Sequence, residues 1–220
     1  MSVLGILVGP GVVRANCVAG LAAFARRAGC GVVNTWGAKG VFRWDDPLHF
    51  GTAGLQAWDF DLAGLGEVDV LVTSGLDPEE VTSQPWEGRA EVVDVAPEAL
   101  GTFRGTLPAG CTERPLLYTA LAAVVGPMYD QPDSPPARAA GLAAALPVSG
   151  VVVARPGLVG FWIARTFPTE RPGSVRITPT GEATVADEDW ADLDLNPEAL
   201  VAVAGPIVAW GGIPPGPADR

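Results

Sequence analysis

The chain has 220 residues, 48% hydrophobic and 18% charged, with fourteen basic against twenty-five acidic side chains and a net charge of −11. That length can bury a full core, or hold one domain and part of a second, and the composition is that of a folded chain rather than a disordered one. The acidity argues against nucleic acid as a partner, because a phosphate backbone needs a basic footprint. No apolar run reaches the length of a membrane helix, and the start MSVLGILVGPGVV has neither a basic head nor a small-residue cleavage site. The expectation is a cytoplasmic protein without a membrane partner.

In chain order, Val3 to Val8 is a continuous apolar strand broken by Gly9-Pro10-Gly11. Residues 13 to 28 place Val13, Cys17, Val18, Leu21 and Phe24 at helical spacing, with Arg26 and Arg27 in the last turn and Gly29 as the stop. Gly31 to Thr35, Val68 to Ser74 and Ala90 to Val95 read as further strands, apolar on both faces. Strands of that kind belong to a parallel sheet covered by helices, so the fold class is α/β with a doubly wound, mostly parallel, Rossmann-like sheet. From about residue 97 the pattern changes. Residues 115 to 126 and 136 to 146 read as helices opened by a proline, with the proline-rich loop MYDQPDSPP between them. A strand over Gly150 to Ala154, a helix over 158 to 166 and a short strand over Ser174 to Thr178 make an incomplete second α/β portion. The expected division is 1–110, 111–178 and a tail over 179–220.

Three cysteines, Cys17, Cys30 and Cys111, without a CxxC spacing suggest neither a disulfide framework nor a zinc site, and buried free thiols are expected. Lys39 is the sole lysine and His49 the sole histidine, which thins the supply of acid–base groups. Gly9-Pro10-Gly11 ends a strand and opens a helix, where backbone N–H groups and the helix dipole attract a phosphate; a plain tight turn is the alternative. Thr35-Trp36-Gly37-Ala38-Lys39-Gly40 follows the second strand, with Pro47, His49, Gly51 and Gly54 beyond it. Glycines at the carboxyl end of a parallel strand let a ligand approach the backbone, and Lys39 could neutralise a phosphate. His49 has no nucleophile beside it in a recognisable motif, which favours a structural role.

These features, in this order, resemble the central domain of the acetolactate-synthase and pyruvate-decarboxylase group of thiamine-diphosphate enzymes. The residues concerned are Gly9-Pro10-Gly11, Thr35 through Gly40, Asp46-Pro47 with Gly51 and Gly54, Gly75, and Asp94-Val95-Ala96-Pro97. A weaker resemblance, over Gly150 to Ala154, Gly157, Trp162 to Arg165 and Arg171 to Ile177, is to the opening of the family's diphosphate-binding domain. The resemblance implies a six-stranded sheet with Gly9, Gly37 and Gly75 at its carboxyl edge. It permits a nucleotide of the ADP or FAD type, held by Gly9, Gly11, Thr35, Gly37, Lys39, Gly51, Gly54 and Gly75, with Arg14 nearby and Asp94 on the ribose. Ala96 and the lack of a basic residue soon after Gly75 lower the expectation of FAD. The family's GDG turn for magnesium and its activating glutamate have no counterpart, and Asp187, Glu188 and Asp189 read as a surface turn. The chain is therefore expected not to be catalytic alone, and to meet thiamine diphosphate and magnesium only with a partner chain. One subunit of a split decarboxylase or carboligase, or a structural oligomer module, are the alternatives; a homo-oligomer or a second subunit is the expected partner.

Overall fold

The computed structural model describes residues 2–111, 116–179, 182–185, 190 and 198–212. β1 (Val3–Val8) is the axis of the first portion because it is apolar on both faces. Leu4, Ile6 and Val8 pack with Leu21, Phe24 and Leu100 on one side. Leu7 packs with Val33, Phe60, Leu71 and Trp86 on the other. On either side of β1 lie β2 (Val32–Thr35) and β4 (Val70–Ser74), flanked by β3 (His49–Ala53) and β5 (Glu91–Asp94), in the order β3-β2-β1-β4-β5. Every pairing is parallel. The fold is thus α/β with a doubly wound parallel sheet.

The expected helix over 13–28 is two helices, α1 (Gly11–Arg14) and α2 (Val18–Ala28). The break falls at Asn16, whose φ of 54° is left-handed and cannot continue a helix. β3 lies where the sequence shows a cluster of His, Gly and Thr with no apolar alternation, which is why it escapes a pattern reading. β5, expected to be apolar on both faces, is largely exposed, because it is an edge strand.

A sixth strand completes the expected six-stranded sheet and corrects the expectation of free thiols. β6 (Gly110–Cys111) does not extend the sheet beyond β5 but pairs with β1. Leu4 pairs with Val70 of β4 and with Cys111, so β6 must lie on the edge of β1 that β2 occupies further along. It fills the place below the start of β2, and Cys111 forms a disulfide there with Cys30. The thiols expected to be free are therefore bonded across 81 residues, with their Cα atoms 5.3 Å apart, and Cys17 alone stays free. A sequence without motif spacing carries no sign of such a pairing, since it arises from sheet topology.

The second portion holds α4 (Leu116–Val125), α5 (Pro135–Ala145), β7 (Val152–Ala154), α6 (Leu158–Thr166), β8 (Val175–Ile177) and α7 (Glu198–Ala204). Ser134 caps α5, its hydroxyl accepting from the N–H of Ala137. β7 and β8 form a two-stranded parallel sheet. Such a pair is marginal alone and needs packing, and α6 supplies it: Val159 to Ala164 are all buried. The same core includes Trp36 and Leu55 of the first portion. The N–H of Gly173 donates to the carbonyl of Gly40 (2.9 Å), and that of Trp44 to Thr169 (2.9 Å), so the loop after β2 is fastened to the loop before β8. No helix among the described residues is long and apolar enough to cross a membrane.

Candidate functional site

The strand order reverses between β1 and β4, and in doubly wound sheets the carboxyl ends at such a reversal open a crevice. A cleft of about 750 Å³ lies there. That is within the range of roughly 300–1,000 Å³ typical of small-molecule sites. One wall comes from the turns after β1 (Pro10, Val13, Arg14), β2 (Trp36, Gly37, Lys39) and β4 (Asp77, Glu79, Glu80). The facing wall comes from Pro156, from β8 and the residues after it to Pro179, and from Trp210. The rings of Trp36 and Trp210 meet at 4.8 Å. Another hollow, beside Phe167 and Arg171, holds about 30 Å³ and has room for little more than a water.

Glu80 is the residue around which the wall is built, and nothing in the sequence singles it out. It is 2% exposed. The Thr35 hydroxyl donates to its Oε2, and the N–H of Gly37 donates to the same oxygen at 3.3 Å. A Cβ at Gly37 would collide with the Glu80 carboxyl, and one at Gly54 with the Glu80 carbonyl oxygen. Thr35 and Gly37, two of the residues expected to hold a ligand, thus first hold this side chain, and Gly54 makes room for its main chain. Burial pushes the Glu80 carboxyl up to about 7, partly opposed by the hydrogen bonds from Thr35 and Gly37, which favour the charged form.

Lys39 lines the same cleft and is 8% exposed. Among the described residues no carboxylate pairs with it. Burial pulls its amine down to about 8, and the neighbouring charge of Arg165 adds to the effect. Arg165 is fixed from behind. Its guanidinium donates to both oxygens of Asp59 (2.9 Å) and to Oε1 of Gln56 (3.0 Å), and neither member of the ion pair is more than 1% exposed. Asp59 also accepts from the N–H groups of Leu55 (2.8 Å) and Gln56 (3.0 Å), which satisfies the turn that opens α3 (Asp59–Leu62).

Gly9, Gly37 and Gly75 gather at the carboxyl edge as expected. Gly9, Gly11 and Gly75 are explained by packing of two turns upon each other. A Cβ on Gly9 would strike the carbonyl of Gly75, and one on Gly11 would lie 2.7 Å from its Cα. Gly75 has φ 61°, a left-handed conformation suited to glycine. The N–H of Gly9 donates to Ser74, that of Gly11 to Gly75, and those of Val12 to Arg14 to Gly9 and Pro10. Arg14 is engaged by Asp77 through two hydrogen bonds of 2.7 and 2.8 Å. Gly51 lies within β3 opposite Val33, and buried His49 begins that strand; neither lines the cleft. Asp94 accepts from the Thr73 hydroxyl (2.7 Å) on exposed β5 and also stands outside the cleft lining.

Asp187, Glu188 and Asp189 lie outside the described residues. Among those described, no group of three His, Cys, Asp or Glu side chains could hold a metal ion. No curated protein matches the chain. Residues 4–105, the span from β1 to just before β6, match the family described as thiamine pyrophosphate enzyme, central domain. Strands β1 to β5, the reversal of strand order and the glycine turns at the carboxyl edge of the sheet all fall within that matched span, which is similar to the family's central domain.

Proposed function

We propose that the chain is a small-molecule-binding protein whose ligand occupies the cleft at the carboxyl ends of β1, β2 and β4, with an anionic group on Lys39. The observation that carries this reading is a buried ammonium lining a ligand-sized crevice with no carboxylate partner among the described residues. Burying a cation without a partner is costly, so a site that does it gains from an anion that completes the pair. A nucleotide of the ADP type suits the volume, and the Trp36–Trp210 wall offers an aromatic surface to a base. Lys39 is a better phosphate partner than the Gly9–Gly11 turn, whose N–H groups are already engaged and whose helix has only four residues. Calorimetry with ADP, FAD and NAD tests this. ADP should bind the wild type, and Lys39→Met should weaken it by roughly ten- to a hundredfold, as expected for a charged hydrogen bond of about 1.5–3 kcal/mol. Equal affinity in both proteins would place the ligand elsewhere, and no binding of any of the three would overturn the nucleotide reading.

A further inference from the structure

We propose that Lys39 is also a nucleophile, whose amine condenses with an aldehyde or ketone in the cleft to form an imine. The inference deepens the reading above and rests on the cleft being a ligand site. Three observations point to it. Lys39 is more than nine-tenths buried, yet it opens into a cavity of about 750 Å³ and lacks a carboxylate partner among the described residues. A lysine kept for structure normally reaches solvent or an acid. Behind it stands Arg165, a second cation locked in place by Asp59 and Gln56. Desolvation and an adjacent cation are the two general means of keeping a lysine amine neutral and therefore nucleophilic. In the same wall, Glu80 is a buried carboxyl oriented by Thr35 and Gly37, and burial favours its proton-bearing form.

The chemistry balances without an oxidant or reductant. The lone pair of Lys39 Nζ adds to the carbonyl carbon, the C=O π bond opens, and the oxygen takes up a proton. The resulting carbinolamine nitrogen loses a proton. Its hydroxyl then accepts a proton, for which we assign Glu80 in the same wall as the donor, and leaves as water while the C=N bond forms. The other charged groups of the cleft are Arg14 and Asp77, which pair with each other, Glu79, and Arg176.

Reductive trapping tests the proposal directly, because the chain has a single lysine and the N-terminus is its only other amine. The folded protein is treated with cyanoborohydride and either propionaldehyde, a neutral probe, or pyridoxal phosphate, an anionic one. Intact mass and peptide mapping then locate the adduct. The expected result is one adduct on Lys39, saturating with probe concentration and forming at neutral pH roughly tenfold or more faster than on the urea-unfolded chain, whose lysine titrates near 10.4. Excess ADP should slow it. Lys39→Arg, which has no amine to condense, should lose the adduct. An adduct confined to the N-terminus, or Lys39 reacting no faster than in the unfolded chain, overturns the imine. If ADP still binds in that case, the ligand site survives; if neither ADP nor aldehyde engages Lys39, both readings fall.

Discussion

Glu80 and Lys39 titrate in opposite directions from their ordinary values, and each displacement is a statement about stability. Glu80 rises from 4.5 to about 7, so the fold prefers its neutral form. The stability associated with that preference is complete below pH 4.5 and is lost as pH rises through 7. Lys39 falls from 10.5 to about 8, so its preference for the neutral amine is complete above 10.5 and is lost as pH falls through 8. Each displacement is worth on the order of 3 kcal/mol. Glu80→Gln should therefore match the wild type at acid pH and become more stable than it by that order between pH 4.5 and 7. Lys39→Met should be the more stable protein below pH 8 by a similar order. Urea unfolding across the pH range measures both, and a difference that does not change with pH would show that the group is solvated. Glu80 is hidden in the sequence because Asp77, Glu79 and Glu80 are chemically alike. Only the short turn Pro78–Glu80, packed beneath Gly37 and Gly54, decides which carboxylate turns inward.

At the scale of elements, α6 packs within the second portion and is tied by Arg165 to the first. Its residues are those of a buried helix, and its one charged side chain, Arg165, points at the turn before α3. Breaking a buried pair from one side leaves an uncompensated charge and costs about 3–5 kcal/mol. Asp59→Ala also strips the acceptor from the N–H groups of Leu55 and Gln56. It should destabilise the protein at the upper end of that range, as measured by chemical denaturation. Arg165→Met combined with Asp59→Asn should recover part of the loss, because no net charge then remains buried. If the double variant is as unstable as Asp59→Ala, the hydrogen bonds of the turn outweigh the ion pair. The helix over 158–166 is legible from its apolar run, but its partner is not, since Asp59 and Arg165 are 106 residues apart.

For the whole molecule, the Cys30–Cys111 disulfide joins the start of β2 to β6 and thereby closes the chain of the first portion into a loop. Constraining an unfolded loop of this length is worth about 4 kcal/mol in the chain-entropy model. Treatment with a phosphine reductant should lower unfolding stability by that order, and Cys30→Ala with Cys111→Ala should show the same loss and no response to reductant. Cys17, which stays free, should be labelled by a thiol reagent in the oxidised protein. A second labelled thiol before reduction would contradict the bridge.

The sequence by itself determined the parallel α/β sheet and the glycines at the carboxyl edge, because these follow from local properties. Apolar runs of strand length, helical spacing and glycines after strands are read within a few residues of one another. What only the tertiary structure decided has the opposite character. The place of β6 beside β1, the Cys30–Cys111 bond, the Asp59–Arg165 pair and the inward turn of Glu80 each depend on residues brought together from far apart in the chain. The cleft follows the same rule. Gly37 and Lys39 stand out in the sequence as a motif for an anion, but the cleft that Lys39 lines is closed by a wall more than a hundred residues further along. Burial is a sum over neighbours that the chain order does not contain, and it is burial that turns an ordinary lysine and an ordinary glutamate into a site.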